Sequence, residues 1–131
     1  MTDIPTFLIL DDDEDTRYLT RRALLQGFLG CRVLECDNVD AALIAARDIR
    51  IDGVITDHHL GTKDGCAFIA ELRAANISCP VVMVTGTSDP NVHRRASEAG
   101  AARVFGGESR DFVSYFREWF SKDGASEQSP R

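Results

Sequence analysis

The amino-acid sequence predicts a single α/β domain, a three-layer (βα)5 fold in which a doubly wound parallel sheet carries helices on both faces. The 131 residues, of which 44% are hydrophobic, suffice for one core and are too few for two. Short β-rich apolar runs alternate with longer stretches of helical spacing, and the alternation occurs five times. This pattern is typical of parallel strands joined by right-handed crossover helices.

The first part of the chain contains two strand-helix units. Residues 7–10 form an apolar run, and residues 16–29 carry apolar side chains at three- to four-residue spacing. Residues 32–36 predict the second strand. The alanine-rich stretch 40–48 predicts the second helix, because alanine favours helix and Asn38 can cap its N-terminus.

A third unit and a fourth strand follow. Residues 53–56 predict a strand that stops at Asp57, and an apolar stripe over residues 68–72 predicts the third helix after a glycine-containing loop. Residues 81–84 form a continuous apolar run. Such a run is expected of a central parallel strand that is covered on both faces.

The last part of the chain predicts a helix, a strand and a final helix. Pro90 after Asp89 indicates a helix start, with a capping side chain followed by proline at the first helical position. Residues 103–105 predict the fifth strand, and aromatic residues between 112 and 120 give the last helix an apolar face. The domain is expected over residues 1–122, and residues 123–131 are expected to be a disordered tail.

Charge and hydropathy disfavour two classes of partner. The formal net charge of −6 and the pI near 5.0 repel nucleic-acid phosphates and anionic lipid. No apolar run approaches the roughly 18 residues of a membrane span, and the acidic start of the chain is unlike a signal peptide. The sequence therefore predicts a cytoplasmic protein with no direct nucleic-acid or membrane partner.

The cysteines and histidines do not show the spacing of a zinc site. Four cysteines lack paired CxxC spacing and are interpreted as reduced core residues: Cys31, Cys36, Cys66 and Cys79. His58 and His59 are adjacent on extended backbone, so we expect their side chains on opposite faces. Neither has a second His or Cys at a ligand spacing, and zinc is therefore not predicted here.

Three aspartates directly follow two predicted strands. Asp11 and Asp12 come after the first strand, and Asp57 comes after the third. The carboxyl ends of parallel strands share one edge of the sheet, and Thr85 ends the fourth strand at the same edge. Carboxylates gathered there repel one another and need a cation or a proton, so the cluster predicts a metal site.

Three motifs resemble the receiver domain of bacterial two-component response regulators. They are the aspartate run after Leu10 with Arg17 further on, the segment 56–65, and residues 82–86, Val-Met-Val-Thr-Gly. The resemblance extends through nearly the whole chain, to about residue 121. It implies a flavodoxin-like strand order of 2-1-3-4-5.

The resemblance also implies roles for individual residues. Asp57 would accept a phosphoryl group from a histidine kinase or phosphotransfer protein. Asp11, Asp12, Asp57 and the backbone carbonyl of His59 would bind Mg²⁺ or Mn²⁺, and Thr85 would be the switch hydroxyl. Only the self-phosphorylation and dephosphorylation chemistry of a receiver is expected, not an enzyme's turnover of other substrates.

The chain departs from the family pattern after the fifth strand. The family has a lysine there, usually followed by proline, where alignment puts Gly107 and Glu108. Its loss removes a charge-assisted hydrogen bond of about 1.5 to 3 kcal/mol. Five basic residues could substitute, although each is more simply interpreted as a solvated surface charge: Lys63, Arg94, Arg95, Arg103 and Arg110. Val104 also replaces the family's aromatic residue, with Phe105 next to it, and Gly61 stands where proline is common.

The same residues allow three alternative interpretations. An EF-hand loop starting at Asp11 is rejected, because Thr16 and Arg22 replace its glycine and its bidentate glutamate. A haloacid-dehalogenase phosphatase would use Asp11 as nucleophile and Asp13 as acid and base. A pseudo-receiver that docks to partners without phosphorylation is the stronger alternative, because the lysine is missing.

The resulting hypothesis is a stand-alone receiver in a phosphorelay that signals through protein contact. The family's usual output and dimer surface is formed by the fourth helix, the fifth strand and the fifth helix. Four residues are expected to be exposed there: Arg94, Arg95, Arg103 and Phe105. The resemblance also allows a homodimer through this surface.

Overall fold

The computed structural model describes residues 4–125, with side chains described as far as residue 122. The strands are β1 (Thr6–Leu10), β2 (Arg32–Cys36), β3 (Gly53–Thr56), β4 (His59–Leu60), β5 (Lys63–Asp64), β6 (Val81–Thr85) and β7 (Arg103–Gly106). The helices are α1 (Glu14–Gly27), α2 (Val39–Asp48), α3 (Gly65–Ala74), α4 (Pro90–Ala99) and α5 (Asp111–Ala125).

Five parallel strands form the central sheet in the order β2-β1-β3-β6-β7. This is the predicted order 2-1-3-4-5 once the short β4-β5 hairpin is left aside. Leu10 is level with Cys36 on one side and with Thr56 on the other, and Thr56 is level with Met83. The register therefore brings the residues that follow β1 and β3 to the same height at the carboxyl edge.

The sheet is covered on both faces, as predicted. Buried side chains of α2, α3 and α4 pack on one face, and those of α1 and α5 pack on the other. The second face is aromatic: the Phe7 ring lies 5.2 Å from Phe28 and 5.2 Å from Phe116, centroid to centroid. All five residues of β1 are buried, as expected for a central parallel strand.

Helix capping explains most of the differences at element ends. The Asp13 side chain accepts a hydrogen bond from the Thr16 nitrogen, so α1 begins at Glu14, two residues before the predicted start. Asn38 caps α2 and Asp89 caps α4, as the sequence indicated. The β4-β5 hairpin was not predicted, because two-residue strands leave no periodic pattern.

Two further findings concern the chain end and membranes. Helix α5 extends to Ala125, and the rest of the predicted tail, residues 126–131, lies outside the described residues. Within residues 4–125, the helices all fall short of the length and apolar content that crossing a bilayer requires.

Candidate functional site

The structure brings Asp11, Asp12 and Asp57 together at the carboxyl edge of the sheet. One carboxylate oxygen from each lies within 4.8 Å of the others. The backbone explains this, because the Asp57 nitrogen donates to the Leu10 carbonyl at 3.1 Å and so continues the β1-β3 ladder past its last pair. Asp11 is buried, Asp57 is half-buried and Asp12 is exposed.

The electrostatics of this cluster show a need for positive charge. Burial, together with the smaller effect of the nearby carboxylates of Asp57 and Asp12, raises the pKa of Asp11 from 3.8 to about 6. A hydrogen bond from the Asp13 nitrogen to Asp11 Oδ1, 2.9 Å long, opposes this shift only in part. Three hard oxygen donors at one rim, with the innermost reluctant to ionise, fit a divalent cation such as Mg²⁺.

The backbone around Asp57 is tightly packed. The His58 nitrogen donates to Asp57 Oδ1 at 2.6 Å, and the Gly65 nitrogen donates to the His58 carbonyl at 2.8 Å. A Cβ atom at Gly65 would overlap the Asp57 carbonyl oxygen and lie 3.0 Å from Met83 Cε. Glycine is therefore required for α3 to begin this close to the end of β3.

Thr85 lies at the end of β6, next to β3 in the sheet, and is only 3% exposed. Its Oγ1 accepts a long hydrogen bond, 3.4 Å, from the Thr87 nitrogen. A Cβ atom at Gly86 would meet no atom within 4 Å, so there is open space on the side of this loop where a Gly86 side chain would lie. The backbone carbonyl of His59, at the first residue of β4, stays a predicted ligand.

No cation neutralises the acidic cluster within residues 4–125. None of the ion pairs found there includes Asp11, Asp12 or Asp57. Arg17 is close, but its Nη1 donates to the Asp11 carbonyl at 2.7 Å and its Nε pairs with Glu35 at 3.4 Å. The arginine thus holds the backbone rather than the carboxylates.

The five residues considered as substitutes for the lysine are placed elsewhere. Three of them form ion pairs: Lys63 with Asp40, Arg94 with Glu98, and Arg95 with Asp64. The Arg103 guanidinium lies over the Phe105 ring. Arg110 is exposed and lines a cavity of about 320 Å³. The lysine's own position is occupied by Gly107. The Gly107 backbone lies close to the loop after β6, because a Cβ atom on Gly107 would be 3.3 Å from the Gly86 nitrogen.

The phosphatase alternative loses its acid-base residue. Asp13 caps α1, and hydrogen bonds from the Thr16 hydroxyl and nitrogen lower the pKa of its carboxyl group. A carboxylate that is held ionised in this way is a poor general acid.

Two expectations about individual side chains are wrong. Phe105 is buried at 9% exposure among the side chains of α1 and α5, because the alternation along β7 turns it inward, while Arg94, Arg95 and Arg103 are exposed as expected. The rings of His58 and His59 are not on opposite faces, since their centroids lie 4.6 Å apart. His58 lies in a bend, where strand alternation does not apply.

A second group of polar residues was not predicted from the sequence. His58, Asp64 and Cys66 place one potential ligand atom each within 4.8 Å of one another. The β4-β5 hairpin causes this by turning the chain back on itself. The four cysteines are free thiols, as predicted: Cys31, Cys36, Cys66 and Cys79.

Comparison with known proteins identifies the family. The family model described as the response regulator receiver domain matches residues 7–106. The chain is 32% identical over 97 residues to a cyclic di-GMP phosphodiesterase of Thermotoga maritima, covering 73% of this chain and 25% of that protein. It is 33% identical over 94 residues to the KDP operon transcriptional regulatory protein KdpE of Escherichia coli, covering 72% and 40%. The chain thus spans less than half the length of these relatives.

A structural comparison agrees on the fold. A CheY-like response regulator receiver domain from Methanospirillum hungatei superposes with a TM-score of 0.85 at 18% identity, covering 95% of this chain and 99% of that one. The family match over residues 7–106 therefore includes residues of all five strands of the central sheet and the three aspartates at its carboxyl edge. The protein belongs to the response regulator receiver family and is a receiver domain of two-component signalling.

Proposed function

We propose that Asp57 accepts a phosphoryl group from a histidine kinase or phosphotransfer protein in a Mg²⁺-dependent reaction. The observation that carries this proposal is the gathering of the Asp11, Asp12 and Asp57 oxygens within 4.8 Å at the carboxyl edge of the sheet. Ligands of open parallel sheets bind at that edge.

The carboxylate of Asp57 is positioned as a nucleophile. Its Oδ1 is held by the His58 nitrogen, whereas its Oδ2 has no hydrogen-bond donor among the described residues. In the transfer, an Asp57 oxygen bonds to phosphorus as the bond between phosphorus and the donor histidine nitrogen breaks. The electron pair of the broken bond stays on that nitrogen, which then takes up a proton.

Asp11, Asp12, Asp57 and the His59 carbonyl would hold the divalent cation. When bound, Mg²⁺ or Mn²⁺ supplies the positive charge that lets a carboxylate approach an anionic phosphoryl group. Asp11 contributes most to the demand for this charge, because it is the buried member of the cluster.

Thr85 is proposed to respond to the phosphoryl group. Its hydroxyl oxygen accepts from the Thr87 nitrogen, so its proton remains available for donation to a phosphoryl oxygen. Movement of Thr85 would carry the loop at Gly86 with it, because the two residues are adjacent. Signalling would then pass through α4, β7 and α5, where Arg94, Arg95 and Arg103 are exposed.

The chain is proposed to act through protein contact in the cytoplasm rather than as an enzyme with turnover. Its charge of −6 supports protein partners over nucleic acid or anionic membrane. The stand-alone arrangement stays a prediction, and so does the homodimer.

A pseudo-receiver is the second candidate function. The specific observation in its favour is that no ion pair of the described residues reaches the acidic cluster and that Gly107 occupies the place of the lysine. In that case partners would bind the domain equally well with and without a phosphorylatable Asp57.

Intact mass spectrometry after incubation with a small phosphodonor and Mg²⁺ tests the proposal. The parent chain should gain the mass of one phosphoryl group, Asp57→Asn should gain none, and omitting Mg²⁺ should suppress the gain. Asp37→Asn is a matched control, because Asp37 follows β2 at the same edge but is exposed and outside the cluster. Equal mass gains in the parent and in Asp57→Asn would exclude Asp57 as the acceptor. The absence of a mass gain in both proteins would also exclude it and would favour the pseudo-receiver.

A further inference from the structure

A second cluster of potential metal ligands lies beside the acidic site. It consists of His58, Asp64 and Cys66, which offer a ring nitrogen, a carboxylate oxygen and a thiol sulfur within 4.8 Å of one another. We propose that this cluster binds a transition-metal ion of the Zn²⁺ type, at a site separate from the oxygen cluster of Asp11, Asp12 and Asp57. This proposal does not depend on the phosphorylation of Asp57.

Burial of an unsatisfied ring nitrogen is the observation that points to a ligand. His58 is only 8% exposed, and its Nδ1 is buried without any hydrogen-bond partner among the described residues. Buried polar atoms in native proteins almost always have a partner, and leaving one unpaired is unfavourable. An imidazole nitrogen near a thiol and a carboxylate is a typical transition-metal ligand.

The backbone holds the three residues in place before any ion binds. The Gly65 nitrogen donates to the His58 carbonyl at 2.8 Å, and the β4-β5 hairpin pairs His59 with Asp64. Cys66 is the second residue of α3 and is only 5% exposed. A cluster that is ordered by the fold loses little conformational entropy when an ion binds.

Asp64 is already engaged but keeps ligand capacity. Its Oδ1 accepts from the Ala67 nitrogen at 2.8 Å as the cap of α3, and its Oδ2 accepts from Arg95 Nη2 at 2.9 Å. Each carboxylate oxygen has two lone pairs, so one per oxygen remains. The Arg95 guanidinium opposes a cation bound through oxygen alone, which leaves the imidazole and the thiol as the principal ligands.

Cys66 must lose its proton to bind a metal ion. Burial raises the pKa of its thiol, and the sulfur lies 4.0 Å from the Val92 carbonyl, its weak acceptor. Mg²⁺ has no affinity for sulfur, whereas Zn²⁺, Co²⁺ and related ions bind thiolate strongly enough to displace the proton. The ligand set therefore selects against the ion that suits the aspartate cluster, and the two sites would not compete.

Co²⁺ binding in the presence of excess Mg²⁺ tests the site, since Mg²⁺ is the ion proposed to occupy the acidic cluster. The parent protein should show a thiolate-to-cobalt charge-transfer absorption that added Zn²⁺ abolishes. Cys66→Ser should lose this absorption. Cys31→Ser should retain it, because Cys31 is a matched control of similar burial, 7% exposed, on the opposite side of the sheet.

His58→Gln provides a second variant in case Cys66→Ser does not fold, as judged by circular dichroism. It should weaken Co²⁺ and Zn²⁺ binding by at least about tenfold. Loss of a residue that only hydrogen-bonds to a metal ligand already costs about that much affinity, and His58 is proposed as a ligand itself. The proposal is overturned if the parent shows no thiolate absorption, if the absorption persists in Cys66→Ser, or if His58→Gln binds as tightly as the parent. Phosphorylation of Asp57, read by mass, is a separate measurement, so failure of either proposal can be told from failure of the other.

Discussion

Gly107 packs against the backbone of Gly86, with a Cβ position 3.3 Å from the Gly86 nitrogen and 3.4 Å from its Cα. The contact arises because β6 and β7 are neighbours and Thr85 is level with Gly106, so the loops that follow these strands meet. The family resemblance puts a lysine at position 107. In this chain that place holds only backbone, next to the loop that the switch hydroxyl is proposed to move.

Gly107→Lys should restore a missing interaction. Gly107 does not require a left-handed backbone, and its contacts at 3.3 to 3.4 Å require the Gly86 backbone to shift by only a few tenths of an ångström, far less than the overlap that a Cβ atom would make at Gly65. A lysine ammonium near Asp57 would add a charge-assisted hydrogen bond of about 1.5 to 3 kcal/mol to the phosphorylated state. We expect the equilibrium constant for phosphorylation to rise by about tenfold or more. The measurement is the phosphorylated fraction at limiting phosphodonor, read by intact mass.

Gly106→Lys is the matched control for this substitution. A Cβ at Gly106 meets no atom within 4 Å, and the residue is exposed, so a lysine there adds the same charge one residue away. It should change the phosphorylated fraction little. Equal effects of the two lysines would indicate a general electrostatic contribution rather than a restored contact.

Asp11 should destabilise the metal-free fold at neutral pH. Burial raises its pKa from 3.8 to about 6, so between these pH values the native state binds more protons than the unfolded state. The free energy of unfolding therefore falls as the pH rises from about 4 to about 6, and it stays at this lower value above about pH 6. Asp11→Asn should be more stable than the parent by about 1 to 2 kcal/mol at pH 7 without divalent ions.

Denaturant titrations at several pH values measure this effect. Asp11→Asn should flatten the slope of stability between about pH 4 and 6, whereas Asp37→Asn, at an exposed carboxylate, should leave it unchanged. Added Mg²⁺ should stabilise the parent more than Asp11→Asn, because the variant has lost one ligand charge. Identical pH slopes for the parent and Asp11→Asn would contradict this account of the cluster.

Regular periodicity allowed the sheet to be predicted, while the local bends were not predictable. The apolar runs at 7–10 and 81–84 fixed the central strands, and the parallel order then placed Asp11 and Asp57 at one edge. The cluster of His58 and Cys66 depends on a hairpin of two-residue strands, which has no periodic signature. The burial of Phe105 depends on which face of β7 packs against α5. The predicted strand has only three residues, too few for their alternation to show which face is buried.

Gly65→Ala should destabilise the protein and disturb Asp57. The added methyl group would overlap the Asp57 carbonyl oxygen and crowd Met83 Cε at 3.0 Å, and backbone cannot move aside as a flexible side chain can. We expect a loss of about 1 to 3 kcal/mol in the free energy of unfolding, together with slower phosphorylation. Gly86→Ala, in open space, should stay within about 0.5 kcal/mol of the parent. Equal stability of the two variants would show that the contact at Gly65 relaxes freely.

Thr85→Val should separate phosphorylation from the response to it. The substitution removes the hydroxyl that is proposed to donate to the phosphoryl group and leaves the acidic cluster intact. We expect Asp57 to gain phosphate in Thr85→Val as in the parent. The backbone amide resonance of Thr87, whose nitrogen donates to Thr85 Oγ1 at 3.4 Å, should shift on phosphorylation in the parent only.

Thr85→Ser retains the hydroxyl and should keep that shift, which makes it the control for changes in packing. The hydrogen bond at stake joins a neutral donor to a charged acceptor and is worth about 1.5 to 3 kcal/mol, enough to change the population of a two-state loop by about tenfold or more. A Thr87 shift of parental size in phosphorylated Thr85→Val would assign the loop movement to another group. Because Gly107 brings the β7 loop against Gly86, the backbone of that loop would then be the first place to look for it.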